Sequence, residues 1–431
     1  MKVDDSPYQG YLYAYPHKTA YRRLEPRRAL SEVWRDEPRD ALFGYVHVPF
    51  CEMRCGFCNL FTRANPAADQ VTAYLAQLRR QAAAVRESLG EDVTFAQLAI
   101  GGGTPTYLTA SELSSLFEIL SAGFGAGSLP LSVETSPATA TPDRLAVLAA
   151  FGATRVSMGV QSFIDAEARA AGRPQRIGEV MRALEVIRAA AIPVLNVDLI
   201  YGIDGQTPAS WQRSLEAALE WRPEELYLYP LYVRPLTGLG RREHGRDGWD
   251  RQRQELYWQA VSVLSGAGYS QLSMRQFRRL APDKSDYCCQ DDGMVGLGCG
   301  ARSYTSALHY SFDYAVGISE VRAVIDDYLA RPADDFRYAE IGFELSAAEQ
   351  RRRWLLKSLL RAEGVDAFAY RDRFGSAHVD DFPQLGELVS RGWLSDDRCV
   401  LTAAGLARSD AIGPWLVSGP VREAMGAYVP R

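Results

Sequence analysis

An α/β fold with a parallel sheet curled into a barrel is the architecture the sequence predicts, and three observations predict it. Between residues 42 and 229, six short runs rich in β-branched and aromatic residues alternate with segments of helical apolar spacing. The unusual glycine-rich and polar elements fall at the C-terminal ends of those runs, where a barrel gathers its ligand-binding loops. A doubly wound sheet would concentrate them at a single switch point instead. The first run also leads straight into Tyr45-Val-His-Val-Pro-Phe-Cys51-Glu-Met-Arg-Cys55-Gly-Phe-Cys58, three thiols at C-x3-C-x2-C spacing in one loop.

Taken in order, residues 1–42 are rich in Tyr, Arg and Pro without a clear period and read as an arm packed over a larger body. The run from Leu42 to Val48 reads as a strand that ends at Pro49 and delivers the cysteine loop. Tyr45 and His47 share one of its faces by the period of two, so both can look into a barrel. Helix 66–89 then leads to strand Phe95–Ile100 and to Gly101-Gly-Gly-Thr-Pro. Helix 110–122 leads to Leu131–Glu134, helix 142–151 to Thr154–Met158, helix 176–190 to Pro193–Ile200, and helix 208–220 to Glu225–Tyr229. The expected divisions are an arm at 1–42, a barrel at 43–235, a barrel extension at 236–340 and a small closing domain at 341–431.

Thiolates are soft ligands, and short separations let one loop wrap a metal centre without closing a long segment. A structural zinc site would need a fourth Cys or His at short reach, yet Asn59, Leu60, Phe61, Thr62 and Arg63 follow Cys58. His47 is near in sequence, but a strand there leads its side chain away from the loop. Three thiols cannot pair among themselves as disulfides. A [4Fe–4S] cluster usually takes four cysteines, so three leave one iron open for chemistry. This motif resembles the signature of the radical SAM enzymes. The resemblance implies a [4Fe–4S] cluster on Cys51, Cys55 and Cys58, with the open iron holding the amino and carboxylate groups of S-adenosylmethionine (SAM). It also implies reductive cleavage to a 5′-deoxyadenosyl radical, which takes hydrogen from a substrate, and an electron donor such as flavodoxin or ferredoxin.

Gly101, Gly102 and Gly103 leave backbone groups free of side-chain obstruction, and with Thr104 they resemble the family motif that contacts the methionine amino group of SAM. Glu134, in Ser-Val-Glu-Thr-Ser-Pro, is an acceptor-only carboxylate suited to two ribose hydroxyls. Gln161 in Gly-Val-Gln-Ser-Phe, Arg173 in Gly-Arg-Pro, and Asp198 in Asn-Val-Asp-Leu-Ile-Tyr-Gly complete the set. Together with Tyr45 and in this order, these motifs resemble the HemN-like branch, typified by anaerobic coproporphyrinogen III oxidase. That resemblance runs from Tyr45 to about Thr207 and implies a partial (β/α)6 barrel of the TIM type. The block Lys284–Tyr304, with Gly-Leu-Gly-Cys-Gly-Ala-Arg-Ser, resembles a later element of the same branch. Its Cys288, Cys289 and Cys299 match no standard ligand spacing and read as buried thiols.

Two departures narrow the reaction. The oxidase carries a further cysteine where this chain has Leu60, and the haem chaperones of the branch carry His-Asn-x-Tyr-Trp where this chain has Lys-Ser-Asp-Tyr-Cys. The resemblance then points to a HemN-like enzyme of other specificity, with class C radical methylation the leading reading, in which a second SAM is the methyl source. Coproporphyrinogen-type decarboxylation and a non-catalytic haem or tetrapyrrole carrier are the alternatives. The substrate is a small molecule or a peptide.

Residues 341–431 resemble the small helical, winged-helix-like domain that closes HemN-like proteins. Their 12 Lys and Arg balance 12 Asp and Glu, which disfavours a DNA-reading role. The whole chain has a formal net charge of −5, which argues against a general nucleic-acid binder. No apolar run is long enough to span a bilayer, and no secretory segment is recognisable, so a cytoplasmic protein without a membrane partner is expected.

Overall fold

The computed structural model describes residues 3, 5–240, 246–279 and 292–430. Strands Leu42–Val48, Phe95–Gly102, Leu131–Thr135, Ala153–Gln161, Val194–Tyr201 and Glu225–Pro230 lie side by side in chain order. Every neighbouring pair among them is parallel. Each crossover therefore steps the same way and the order never reverses, which is barrel topology. Side-chain reach shows the curl. Arg155 on the fourth strand donates to Ser132 on the third at 3.0 Å and to Glu225 on the sixth at 2.8 Å, although the fourth and sixth strands are not hydrogen-bonded neighbours.

The outer helices form where the apolar spacing asks for them. Ala110–Phe124 buries Leu113, Leu116, Phe117, Leu120 and Phe124, one stripe at helical spacing. Its start is fixed by Thr109, whose N–H donates to Glu112 Oε2 at 2.8 Å in a capping box, and its end by Gly125 at φ 73°. Helices Pro142–Ala150 and Pro208–Glu220 begin on proline, which needs no intrahelical partner there. Helices Ala68–Leu89 and Ile177–Ala189 fill the remaining crossovers.

The sheet continues past the barrel on both sides. Met294–Leu297 pairs parallel with Leu42–Val48, and Arg302–Tyr304, Leu308–Ser311 and Tyr338–Glu344 follow as antiparallel strands. Gln276–Arg278 pairs antiparallel with Glu225–Pro230 on the opposite side. The arm is more ordered than its composition suggests. Arg22–Ala29 is an edge strand on Tyr338–Glu344, with a register shift between Arg23 and Arg28 that accommodates Pro26 where no inner neighbour needs its N–H.

Residues 347–426 form mostly short helices around a second core of Leu355, Leu359, Tyr370, Leu388, Ile412 and Val421. Val3, Tyr15 and Ala20 of the arm belong to this same core. Ala347–Leu359 carries Trp354, and Leu385–Ser390 starts only after Phe382, which caps a separate turn, His378–Asp381. The expected wing reduces to one antiparallel bridge, Leu394 with Leu401. No helix among the described residues is long and apolar enough to cross a membrane.

Candidate active site

The cysteine loop leaves the first barrel strand and is clamped by backbone on both sides. Gly103 N–H donates to Val48 O and Thr104 N–H to Phe50 O, each at 2.7 Å, so the glycine segment lies along the root of the loop. A Cβ at Gly103 would sit 2.5 Å from Phe50 O and 3.0 Å from Cys51 Sγ, so only glycine fits. Gly56, between Cys55 and Cys58, donates to Gly172 O at 3.1 Å and accepts from Leu239 N–H at 2.8 Å. Arg54 Nη2 reaches Val316 O at 2.5 Å, and Glu52 Oε1 accepts from Ser136 Oγ at 2.9 Å. Arg54 and Glu52 are residues that sequence reasoning passed over, because only the cysteines carried a recognisable spacing.

Cys51 is buried, while Cys55 and Cys58 are partly exposed. Burial pushes the Cys51 thiol up to about 12, against a weaker opposing hydrogen bond from Thr104. Burial also raises Cys55, with Arg173 opposing it. Thiols this reluctant to ionise need a cationic partner to become ligands, and a metal centre is one. No three or more His, Cys, Asp or Glu among the described residues converge as ligands of one metal ion do.

The strand ends bring the other expected residues together. Gly102 N–H donates to Glu134 Oε2 at 3.2 Å, and a Cβ at Gly101 would lie 2.9 Å from the Glu134 carboxyl carbon. Gln161 holds φ 69°, a left-handed conformation that non-glycine residues adopt rarely and often at functional sites. Its side chain and that of Arg173 meet over Gly159, where a Cβ would lie 2.6 Å from Gln161 Nε2 and 3.2 Å from Arg173 Nη1. Asp198 pairs in register with Gly159 and accepts from Asn196 Nδ2 at 2.7 Å. Burial lifts the Glu134 carboxyl to about 7, with the Asp198 charge adding to it, and burial lifts Asp198 to about 6.

Tyr45 stands somewhat apart. Its hydroxyl lies 3.4 Å from His47 Nδ1, and its ring packs beside Tyr13, Ala99 and Tyr304. His47 was expected to lead away from the loop, but its ring is held between Gly102 and Gly300, with Nε2 2.8 Å from Phe61 O just past the last cysteine. Burial lowers it to about 4, so it is a neutral buttress. Cys299 is buried in the main core. Cys288 and Cys289, and the Lys284–Cys288 stretch compared with the haem chaperones, lie outside the described residues.

A cavity of about 330 Å³ opens inside the barrel, lined by Glu134, Arg155, Ser157, Asn196, Asp198, Tyr227 and Tyr229. Tyr11–Tyr15 of the arm form one wall, and Lys357, Arg361 and Asp410 of the C-terminal helices another. The arm was read as simple packing. Its part in the wall escaped because nothing in its pattern says which body it covers.

The family model described as the radical SAM superfamily matches residues 45–218. Oxygen-independent coproporphyrinogen III oxidase of Salmonella typhimurium is 28% identical over 405 residues, covering 89% of this chain and 86% of that protein. Heme chaperone HemW of Escherichia coli is 28% identical over 366 residues, covering 82% of this chain and 91% of that protein. The solved structure of coproporphyrinogen III oxidase (HemN) from Escherichia coli, described as a radical SAM enzyme, superposes with a TM-score of 0.74. It covers 95% of this chain and 97% of that one at 22% identity. The chain belongs to the HemN-like branch of the radical SAM superfamily.

Membership brings a [4Fe–4S] cluster and SAM as cofactors and settles the barrel reading over a doubly wound sheet. The donor set fits them. Three thiols on one clamped loop suit three corners of a cubane, and the glycine segment beside them, bordered by Glu134, His47 and Cys51, brings backbone groups close to the loop without side chains of its own.

Proposed function

We propose that this protein is a radical SAM enzyme that cleaves SAM reductively and removes a hydrogen atom from an organic substrate held in the barrel cavity. The observation that carries the reading is the gathering of Glu134, Asp198 and the arm's tyrosines around one cavity, with the glycine segment joining Glu134 to the cysteine loop. When bound, the cluster with SAM supplies one-electron cleavage of a carbon–sulfur bond and a carbon-centred radical able to take hydrogen.

The chain's own residues bind, orient and exclude water. Cys51, Cys55 and Cys58 would hold the cluster, and the backbone of Gly101–Thr104 would serve the amino acid group of SAM. Glu134 and Asp198 would accept from its hydroxyls, with Gln161 at the end of the fourth strand and Arg173 in the loop beyond it as further polar partners. Tyr45 acts through His47 on the end of the loop. Tyr11–Tyr15 and the C-terminal helices close the cavity against water, which protects a reactive carbon radical.

Leu60 is 48% exposed where the oxidase has a cysteine, which favours a reaction other than coproporphyrinogen decarboxylation. Class C-type methylation, with a second SAM as methyl source, is the finer reading we favour. The near full-length likeness to HemW supports a second reading, a haem or tetrapyrrole carrier without turnover.

The test is anaerobic reconstitution of the full chain, reduction with dithionite and addition of SAM. Release of 5′-deoxyadenosine, abolished in Cys58→Ala, is expected. Its absence, with haem bound stoichiometrically, would favour the carrier. With methyl-labelled SAM, unlabelled product would exclude methylation.

A further inference from the structure

Buried arginines in this molecule have carboxylate partners. Arg155 meets Glu225 at 2.8 Å and Arg353 meets Asp292 at 2.9 Å, while Arg253 pairs with Asp250 and Arg275 with Asp410. Pairing is what the cost of burying a charge requires. Three half-buried cations without such a partner share one neighbour. Lys18, Arg234 and Arg302 form no ion pair with any described carboxylate, although all three act together on the His17 imidazole and hold it neutral after burial has already lowered it. Lys18 and Arg302 likewise act on His47, and Lys18 feels the Cys58 thiol.

Aromatic faces hold the three in place. Lys18 Nζ stands 3.7 Å from the Tyr314 ring centre, the Arg302 guanidinium 4.9 Å from that of Tyr13, and the Arg234 guanidinium 4.7 Å from that of Tyr232. Arg302 Nη1 is buried without a hydrogen-bond acceptor among the described residues. All three side chains nevertheless keep partial exposure, as do Cys55 and Cys58, so they are not sealed in a core. Tyr13 links this group to the barrel cavity, because it lines the cavity and its hydroxyl lies 3.1 Å from His17 Nε2. Three like charges gathered around one imidazole, fixed on rings and without a carboxylate partner among the described residues, suit an anion.

We propose that Lys18, Arg234 and Arg302 bind an anionic oxygen group of the substrate, a carboxylate or a phosphate, beside the cysteine loop. This rests on the reading that a substrate is turned over in the adjoining cavity. Such an anchor fixes one end of the substrate by charge while its reacting carbon lies in the cavity. It also selects substrates, since a neutral analogue leaves three cations unmatched.

The experiment is anaerobic titration calorimetry on the cluster-loaded full chain with saturating SAM, using inorganic phosphate and citrate as probes. We expect one probe to bind at least tenfold more weakly to Lys18→Met and to Arg302→Gln, with Arg302→Lys recovering part of the loss. Preference for phosphate marks a phosphorylated substrate, and preference for citrate a carboxylate. Equal affinity in wild type and variants, or no binding to either, overturns the proposal. So does a variant that weakens SAM binding or shifts the cluster midpoint potential in place of anion affinity, because the cations then serve the cofactors. Arg234→Gln gives an independent variant should either of the others fail to fold. SAM cleavage without substrate is measured alongside. Its absence in wild type would sink the enzymatic reading alone, and the anion result stands or falls by itself.

Discussion

Glu134 and Asp198 are two carboxylates on adjacent faces of one cavity, and each is held protonated well above its usual range, to about 7 and about 6. An unfolded Glu gives up its proton near pH 4.3, roughly, so the folded chain binds more protons between there and about 7. Stability of the SAM-free protein therefore falls as pH rises through that window and levels off above it. Urea unfolding of Glu134→Gln should lose about 1–3 kcal/mol of this pH dependence. An unchanged slope would show that the carboxylate is not strained. The same variant should bind SAM about 10- to 100-fold more weakly, the loss of a charged hydrogen bond, as read by calorimetry. At this scale the sequence was legible where a residue type is rare at its position: cysteines at short spacing, an acid at a strand end. Tyr13, Lys18 and Arg302 were not. His17 Nδ1 accepts from Thr19 N–H at 3.3 Å, so its Nε2 carries the proton and donates to the Tyr13 oxygen. Burial opposes it, yet Arg302 and Lys18 hold that phenol below its ordinary range. No local pattern encodes an arrangement assembled from positions nearly 300 residues apart.

Among elements, the loop holding Arg173 and the loop holding the cysteines are locked together through glycine backbone. Gly172 takes φ 70°, and a Cβ there would lie 2.6 Å from Gly56 Cα. Gly172→Ala should cost about 1–3 kcal/mol in strain and push the cysteine loop outward. Iron content per chain after reconstitution should drop, and full retention of iron would contradict the clamp. The barrel strands and crossover helices were legible to within a few residues because burial on a regular period writes itself into composition. The edge strand Arg22–Ala29 was not. Its Leu24 is flanked by Arg23 and Glu25, its Pro26 argues against a strand, and its pairing partner lies some 310 residues downstream. Likewise the wing carried strand-like residues, yet a single bridge formed because short helices supply the packing on either side.

For the whole molecule, closure of the cavity depends on a buried ion pair. Arg275, beside the sixth barrel strand, and Asp410, in the C-terminal helices, are 4% and 1% exposed, and Tyr232 donates to the same carboxylate. Removing one partner strands the other charge, so Asp410→Asn should destabilise by about 3–5 kcal/mol. The double variant Arg275→Met with Asp410→Leu should recover much of that, as chemical denaturation can show. If Asp410→Asn were neutral, the C-terminal helices would not be held by this pair. The resemblance led to the expectation of a helical C-terminal part, but nothing in the sequence says what it packs on, since neither Arg275 nor Asp410 sits in a recognisable motif.

The shared core of Val3, Tyr15 and Ala20 with Leu355, Leu359 and Val421 also sets an order of events during synthesis. The arm leaves the ribosome well before the surface it packs on, which follows more than 330 residues later. The barrel can form while the arm still has nothing to hold it, so the arm is among the last segments to settle. A nascent chain thus keeps open, for most of translation, the side of the cavity that Tyr11–Tyr15 later wall. Once the helices of 347–426 emerge and the arm docks on them, that side of the cavity closes.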